Sequence, residues 1–321
     1  MTTALVRRVL LATDFSDCAT LAEEYAALLA TAFGASLDVV HVLELYPGMD
    51  PDYAVNQVYL DQLRKETDRK LDDLVSRLIQ RRLTAKGSQV LGIPSQRINA
   101  IAKELDTDLV VLGTRGRTGL EHILLGSTAE RVVQGAPCPV LTVRLVQQTA
   151  RSAAAEGTKS PSVIRRILAP VDFSDCSLDA LEYAVQVAAR FQATVTILHV
   201  MEPVAYGLDF TLRHADEGRR MRERAELRLS GFCVALKSHG LTAEQAVRGG
   251  VPSDSILGFS REQGSDLIVM GTHGRRGISH LISGSVAEAV LRRAPCPVLS
   301  VKSPKFGPGH RRILPEANVK A

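Results

Sequence analysis

Residues Arg7–Cys18 read RRVLLATDFSDC and residues Arg165–Cys176 read RRILAPVDFSDC, each an apolar run that stops at an Asp-Phe-Ser step. The offset between them (165 − 7 = 158) also carries His41-Val42 onto His199-Val200, Gly92-Ile93-Pro94 onto Gly250-Val251-Pro252, and Gly113 onto Gly271. It carries Ala136-Pro-Cys-Pro-Val140 onto Ala294-Pro-Cys-Pro-Val298 as well, so one unit is written twice without a net gap. Identity is concentrated in residues 7–42 and 113–143 and nearly vanishes over 44–91.

Within the first copy the elements alternate. Val9–Thr13 is a short apolar strand, and Ser16 can cap a helix on which Ala22, Tyr25, Ala26, Leu29 and Phe33 recur at helical spacing. Leu37–Val42 is the next strand; beyond a loop with Pro47 and Pro51, Leu60–Leu83 reads as a surface helix carrying Leu63, Leu71, Leu74 and Leu78 among charges. Ser88–Leu91 is a brief strand, Ser95 is placed to cap a helix to Leu105, and Leu109–Leu112 is a strand. Ser127 opens a helix to Gln134, and Val140–Val143 closes the unit. Short apolar strands alternating with helices dictate a parallel sheet covered on both faces. The expected fold is α/β: two tandem, doubly wound, five-stranded, Rossmann-like parallel-sheet domains. They span residues 1–145 and 163–303, with a linker at 146–162 and a basic tail at 304–321. In such a sheet the ligand crevice lies beyond the carboxyl ends of the strands, at the switch point, and strand ends are where the two copies agree best.

Composition narrows the partners. Lys+Arg 39 against Asp+Glu 35 gives +4, all of which Lys302, Lys305, Arg311, Arg312 and Lys320 against Glu316 account for. With no Trp and 4% aromatics, base-stacking platforms are lacking, so no nucleic-acid partner is expected. Nor is a membrane partner, since no run approaches the roughly 20 apolar residues of a spanning helix. Five cysteines without a C-x-x-C spacing argue for a reducing compartment, and the expected location is cytoplasmic. Cys138 and Cys296 read as small buried hydrophobes, whereas Cys18 and Cys176, next to a helix amino terminus, are placed for a lowered pKa.

The fourth strand of each copy leads into G-x2-G-x9-G-S: Gly113, Gly116, Gly126 and Ser127, then Gly271, Gly274, Gly284 and Ser285. Strand-end glycines allow tight turns, and a helix amino terminus attracts anions. Arg117, Arg275 and Arg276 add charge to the same loops, so phosphate is the natural occupant. The plainer alternative makes these turn glycines and Ser127 a helix cap.

With these motifs the chain resembles the universal stress proteins in their tandem, ATP-binding form. The resemblance implies ATP, accompanied by Mg2+, in each domain and a nucleotide-dependent role in stress regulation. It implies that Asp14 and Asp172 line the ribose and adenine side and that the backbones of Val42 and Val200 read the adenine edge. The three glycines of each loop motif, with Ser127-Thr128 and Ser285-Val286, would hold the phosphates. The copies differ at Ala12/Pro170, Thr13/Val171 and Arg115/His273, all within the implied pocket, so unequal affinities are expected.

Other readings are weaker. No G-x-x-x-x-G-K-S/T sequence supplies a phosphoryl-transfer lysine, so hydrolysis or autophosphorylation at Ser127 or Ser285 would be slow at best. Asp14, His41 and Ser127 form a minority triad candidate without a G-x-S-x-G elbow. A nucleotide-free interaction module is the third alternative. The apolar closing strands would lie at sheet edges, which invite pairing. An intramolecular pseudo-dimer is expected, with homodimers through other surfaces open, and Pro at Leu141 and Leu299 is expected to break it.

Overall fold

The computed structural model describes residues 5–44, 54–114, 125–145, 163–202, 212–273 and 284–302. The chain divides into two compact units, Met1–Ser162 and Val163–Ala321. The first holds β1 (Arg8–Ala12), α1 (Asp17–Phe33), β2 (Ser36–Leu43), α2 (Ala54–Gln80), β3 (Ala85–Leu91), α3 (Pro94–Glu104), β4 (Leu109–Gly113), α4 (Ser127–Gly135) and β5 (Val140–Val143). The second repeats the series as β6 (Arg166–Pro170), α5 (Asp175–Phe191), β7 (Thr194–Met201), α6 (Leu212–Ser238), β8 (Ala243–Gly249), α7 (Pro252–Gln263), β9 (Leu267–Gly271), α8 (Ser285–Arg293) and β10 (Val298–Val301).

Strand order within the first unit is β3-β2-β1-β4-β5, and within the second β8-β7-β6-β9-β10, with the paired strands parallel. Val9, Leu10 and Leu11 are consecutive and all buried, which only a sheet covered on both faces can accommodate. A carboxylate sets where the first strand starts: Asp108 Oδ2 accepts from the amides of Arg7 (2.8 Å) and Arg8 (3.0 Å). Asp266 repeats this with Arg165 (2.8 Å) and Arg166 (2.9 Å). The central strand therefore begins beside β4, with Val9 opposite Leu109. The first helix starts as its sequence dictates, Ser16 Oγ accepting from Ala19 N at 3.3 Å.

Three local expectations are corrected. Ser95 does not cap α3; it lies buried in the first turn, Pro94 occupies the opening of the helix and Ile93 is the cap residue. Proline's fixed φ pre-forms the first helical position and removes an amide that would need a partner, so a side-chain cap is dispensable. β3 starts at Ala85 rather than Ser88, because Lys86–Ser88 are exposed residues held by backbone pairing to Asp38–Val40 and carry no apolar signal. The long helix runs from Ala54 to Gln80, earlier at both ends than expected, and buries Leu60, Thr67, Leu71, Leu74 and Leu78.

Candidate functional site

β1 and β4 lie side by side, Ala12 opposite Leu112, while the chain leaves β1 for β2 on the other side. The carboxyl ends of β1 and β4 are therefore the switch point of the sheet. At the end of β1, Thr13 N donates to Val40 O (2.9 Å), and the chain then turns through Phe15 at φ 61°. Phe173 repeats the turn at φ 63°. A bulky residue in the left-handed region costs on the order of 1–3 kcal/mol. The turn closes on its own acid: Asp14 Oδ1 accepts from Ser16 N (3.1 Å) and Ser16 Oγ (2.6 Å). Asp172 Oδ1 accepts likewise from Ser174 N (3.0 Å) and Ser174 Oγ (2.5 Å). Each serine is also the cap of the following helix, so the carboxylate, the turn and the helix start form one hydrogen-bonded piece.

His41 Nδ1 donates to Thr13 O at 2.7 Å, and His199 Nδ1 to Val171 O at 2.8 Å. An imidazole bonded to a carbonyl carries its proton on that nitrogen, so Nδ1 orients the ring on the backbone. This is the strand-end role that competes with the triad reading. The backbone just beyond this strand end has a fixed direction. Val40 O faces β1 and Leu43 O faces β3, where it accepts from Gly92 N (3.0 Å). Strand parity therefore turns the amide and carbonyl of Val42 toward β1, past its last residue Ala12. Val200 is placed the same way, since Leu198 O accepts from Val171 N (2.8 Å) and Met201 O from Gly250 N (3.1 Å).

Across the switch point, Thr114 N donates to Val143 O (2.8 Å) and Gly126 N to Thr114 O (2.7 Å). Gly126 is thus the cap residue of α4, its own amide already committed, and no side chain caps the helix. Ser127 and Thr128 open the first turn. Gly284, with its amide 2.8 Å from Thr272 O, caps α8 identically ahead of Ser285 and Val286. The available donors are therefore the amides after the cap glycine rather than that of the glycine itself. Thr114 Oγ1 is buried and has no hydrogen-bond partner among the described residues, whereas Thr272 Oγ1 lies 2.9 Å from His273 Nδ1. Arg115, Gly116 and Gly274, like Arg117, Arg275 and Arg276, fall outside the described residues. Ala12 and Pro170 end their strands, and Thr13 and Val171 lie just beyond them.

Gly113 and Gly271 have a packing reason to be glycine. A Cβ on Gly113 would stand 3.0 Å from the carbonyl carbon of Cys18, and one on Gly271 would stand 2.8 Å from Cys176 Sγ and 2.9 Å from its carbonyl carbon. The amino-terminal turns of α1 and α5 press on the strand ends there. The same cysteines bridge to strand-end carbonyls: Cys18 Sγ donates to Val143 O and Cys176 Sγ to Val301 O, both at 3.1 Å. Burial pushes the Cys176 thiol up, against the lowering expected from its helix terminus. Cys138 and Cys296 are buried as expected, and burial pushes Cys296 up to about 12. Among the described residues no group of three or more His, Cys, Asp or Glu side chains converges as around a metal ion.

Residues 6–144 and 164–302 each match the model of the universal stress protein family. The chain belongs to that family. It carries the universal stress protein domain twice, and a universal stress protein of Synechocystis is 26% identical over 324 residues, covering 92% of this chain and 100% of that one. One from Methanocaldococcus jannaschii is 33% identical over 145 residues, 45% of this chain and 85% of its own. The crystal structure of a universal stress protein from Archaeoglobus fulgidus DSM 4304 superposes with a TM-score of 0.68 at 24% identity, covering 93% of this chain and 97% of that chain, a likeness of fold. No helix among the described residues is long and apolar enough to cross a membrane.

Sequence reasoning singles out Asp14, Ser16 and Gly126 but not that Ser16 holds the carboxylate, that Phe15 is left-handed, or that Thr114 O receives the amide of the cap glycine. The signal available was the repetition of the whole Asp-Phe-Ser step.

Proposed function

We propose that each universal stress protein domain binds ATP at its switch point and that occupancy serves as a regulatory signal in a stress response. The observation that supports this reading most is a juxtaposition made twice: a fixed carboxylate at the end of the first strand beside a helix terminus without a side-chain cap after the fourth. In this reading the Val42 and Val200 backbones take the adenine edge, Asp14 and Asp172 accept from ribose hydroxyls, and the first-turn amides of α4 and α8 donate to phosphate. Mg2+ would arrive on the triphosphate. A helix terminus contributes at most ~2 kcal/mol, whereas micromolar binding needs about 8 kcal/mol. The adenine and ribose contacts therefore carry most of the affinity. Mass spectrometry of small molecules released by denaturing the purified protein is expected to show ATP or ADP above a Gly126→Ala, Gly284→Ala control. Equal amounts in both samples would defeat the reading.

We also propose, as the sequence led us to expect, that the closing strands β5 and β10 pair antiparallel within one chain. The test requires different positions from those first suggested. Val110 N donates to Pro139 O (3.0 Å) and Thr114 N to Val143 O (2.8 Å), so residues 139, 141 and 143 turn their backbone groups to β4. Leu141→Pro would therefore damage its own domain. Thr142 faces the other way, and so does Ser300, since Ile268 N donates to Pro297 O (3.0 Å). Thr142→Pro with Ser300→Pro should enlarge the radius of gyration by scattering while circular dichroism stays unchanged. An unchanged radius would refute the pairing.

A further inference from the structure

The left-handed Phe of each Asp-Phe-Ser turn is gripped by the long helix of its unit, and the two grips are built differently. Lys70 of α2 sets its ammonium 5.9 Å from the Phe15 ring centroid while pairing with Glu66. Arg228 of α6, its counterpart in the repeat, sets its guanidinium carbon 4.1 Å from the Phe173 centroid. One helical turn further along α6, Phe232 adds a ring with its centroid 6.4 Å away, where α2 has Leu74. The gripped rings also meet the orienting histidines, Phe15 and His41 at 4.9 Å and Phe173 and His199 at 4.7 Å between centroids. The first turn has a bond the second lacks: Phe15 N donates to Thr13 Oγ1 at 3.0 Å, and Val171 has no hydroxyl.

One strained backbone conformation is thus held by a hydroxyl and a distant ammonium in one copy, and by a close guanidinium and a second ring in the other. Both phenylalanines are only half-buried, so filling the core does not explain the conformation. What the two copies share is the direction in which the turn presents its aspartate.

We propose that Arg228 and Lys70 are positioning residues of the two nucleotide sites: each cation presses its Phe toward the histidine and so fixes the turn that aims Asp172 or Asp14 at the ribose. The proposal rests on the ATP reading above. Arg228 lies well within cation–π range and Lys70 at its outer limit near 6 Å. The second site therefore depends more on its cation.

Calorimetry on the full chain tests this. Arg228→Gln should weaken one of the two ATP affinities about five- to tenfold and leave the other unchanged; Lys70→Gln should weaken the other about two- to threefold. Arg228→Lys should recover most of the loss. The loss should be confined to ATP and absent for 2′,3′-dideoxy-ATP, which offers the carboxylate no ribose hydroxyl. Equal losses for both nucleotides, or a lowered melting temperature with unaltered ATP affinity, would show that the cations only brace the fold and overturn the proposal. A wild-type chain that binds no ATP would defeat the nucleotide reading itself. A wild-type chain that binds ATP beside an unaffected Arg228→Gln would defeat only the positioning role.

Discussion

Replacing Gly126 and Gly284 together by alanine is expected to weaken ATP binding about ten- to thirtyfold, or about 1.4–2 kcal/mol per site. Both glycines have φ values any residue adopts, −71° and −65°, so the fold tolerates the change. The added Cβ, however, would stand 3.1 Å from Thr114 O and 3.2 Å from Thr272 O. Those carbonyls belong to the strand ends and already hold the cap amides at 2.7 and 2.8 Å, so the helix terminus must give way. Re-aiming the first-turn amides removes hydrogen bonds to a charged group, worth about 1.5–3 kcal/mol each. Alanine is also a poorer cap than glycine, which adds up to about 1 kcal/mol of lost helix stability. Isothermal titration of the double variant beside the wild type reads the effect. Undiminished affinity would remove α4 and α8 from the phosphate site.

Gly271→Ala should destabilise the second unit more than Gly113→Ala destabilises the first. The new methyl at Gly271 would meet Cys176 Sγ at 2.8 Å and backbone carbon at 2.9 Å, against 3.1 and 3.0 Å for the equivalent Cys18 atoms at Gly113. Overpacking of this kind costs about 1–3 kcal/mol, which corresponds to a fall in melting temperature of about 3–10 °C for a unit of this size. Adding Cys176→Ala should recover only part of the loss, because the backbone carbon remains in the way. A melting temperature unchanged by Gly271→Ala would mean that α5 is not pressed against β9, and would return the glycine to the phosphate loop as its main reason for being there.

The two predictions separate glycines that one motif had grouped together. G-x2-G-x9-G-S reads as a single phosphate loop because spacing carries no record of what each Cα faces. Gly113 faces the first turn of a helix almost a hundred residues earlier in the chain, and Gly126 faces the strand end it has just left.

Sequence alone determined the alternation of strands and helices, the doubling of the domain and the cap at Ser16. These are local or repeated features: apolar phase reports which face of an element is buried, and a repeat reports which residues two copies both need. Tertiary structure alone decided that Ile93 rather than Ser95 caps α3, that Ala85–Gly87 belongs to a strand, and that Cys18 and Cys176 serve as buried donors to strand-end carbonyls. It also decided that Val42 turns its backbone past the end of β1, that Leu141 points its amide inward, and that Arg228 covers Phe173. Each of these depends on a neighbour distant in the chain or on the hydrogen-bonding parity of a strand, and periodicity records neither, because it fixes the face a side chain takes without fixing what stands opposite.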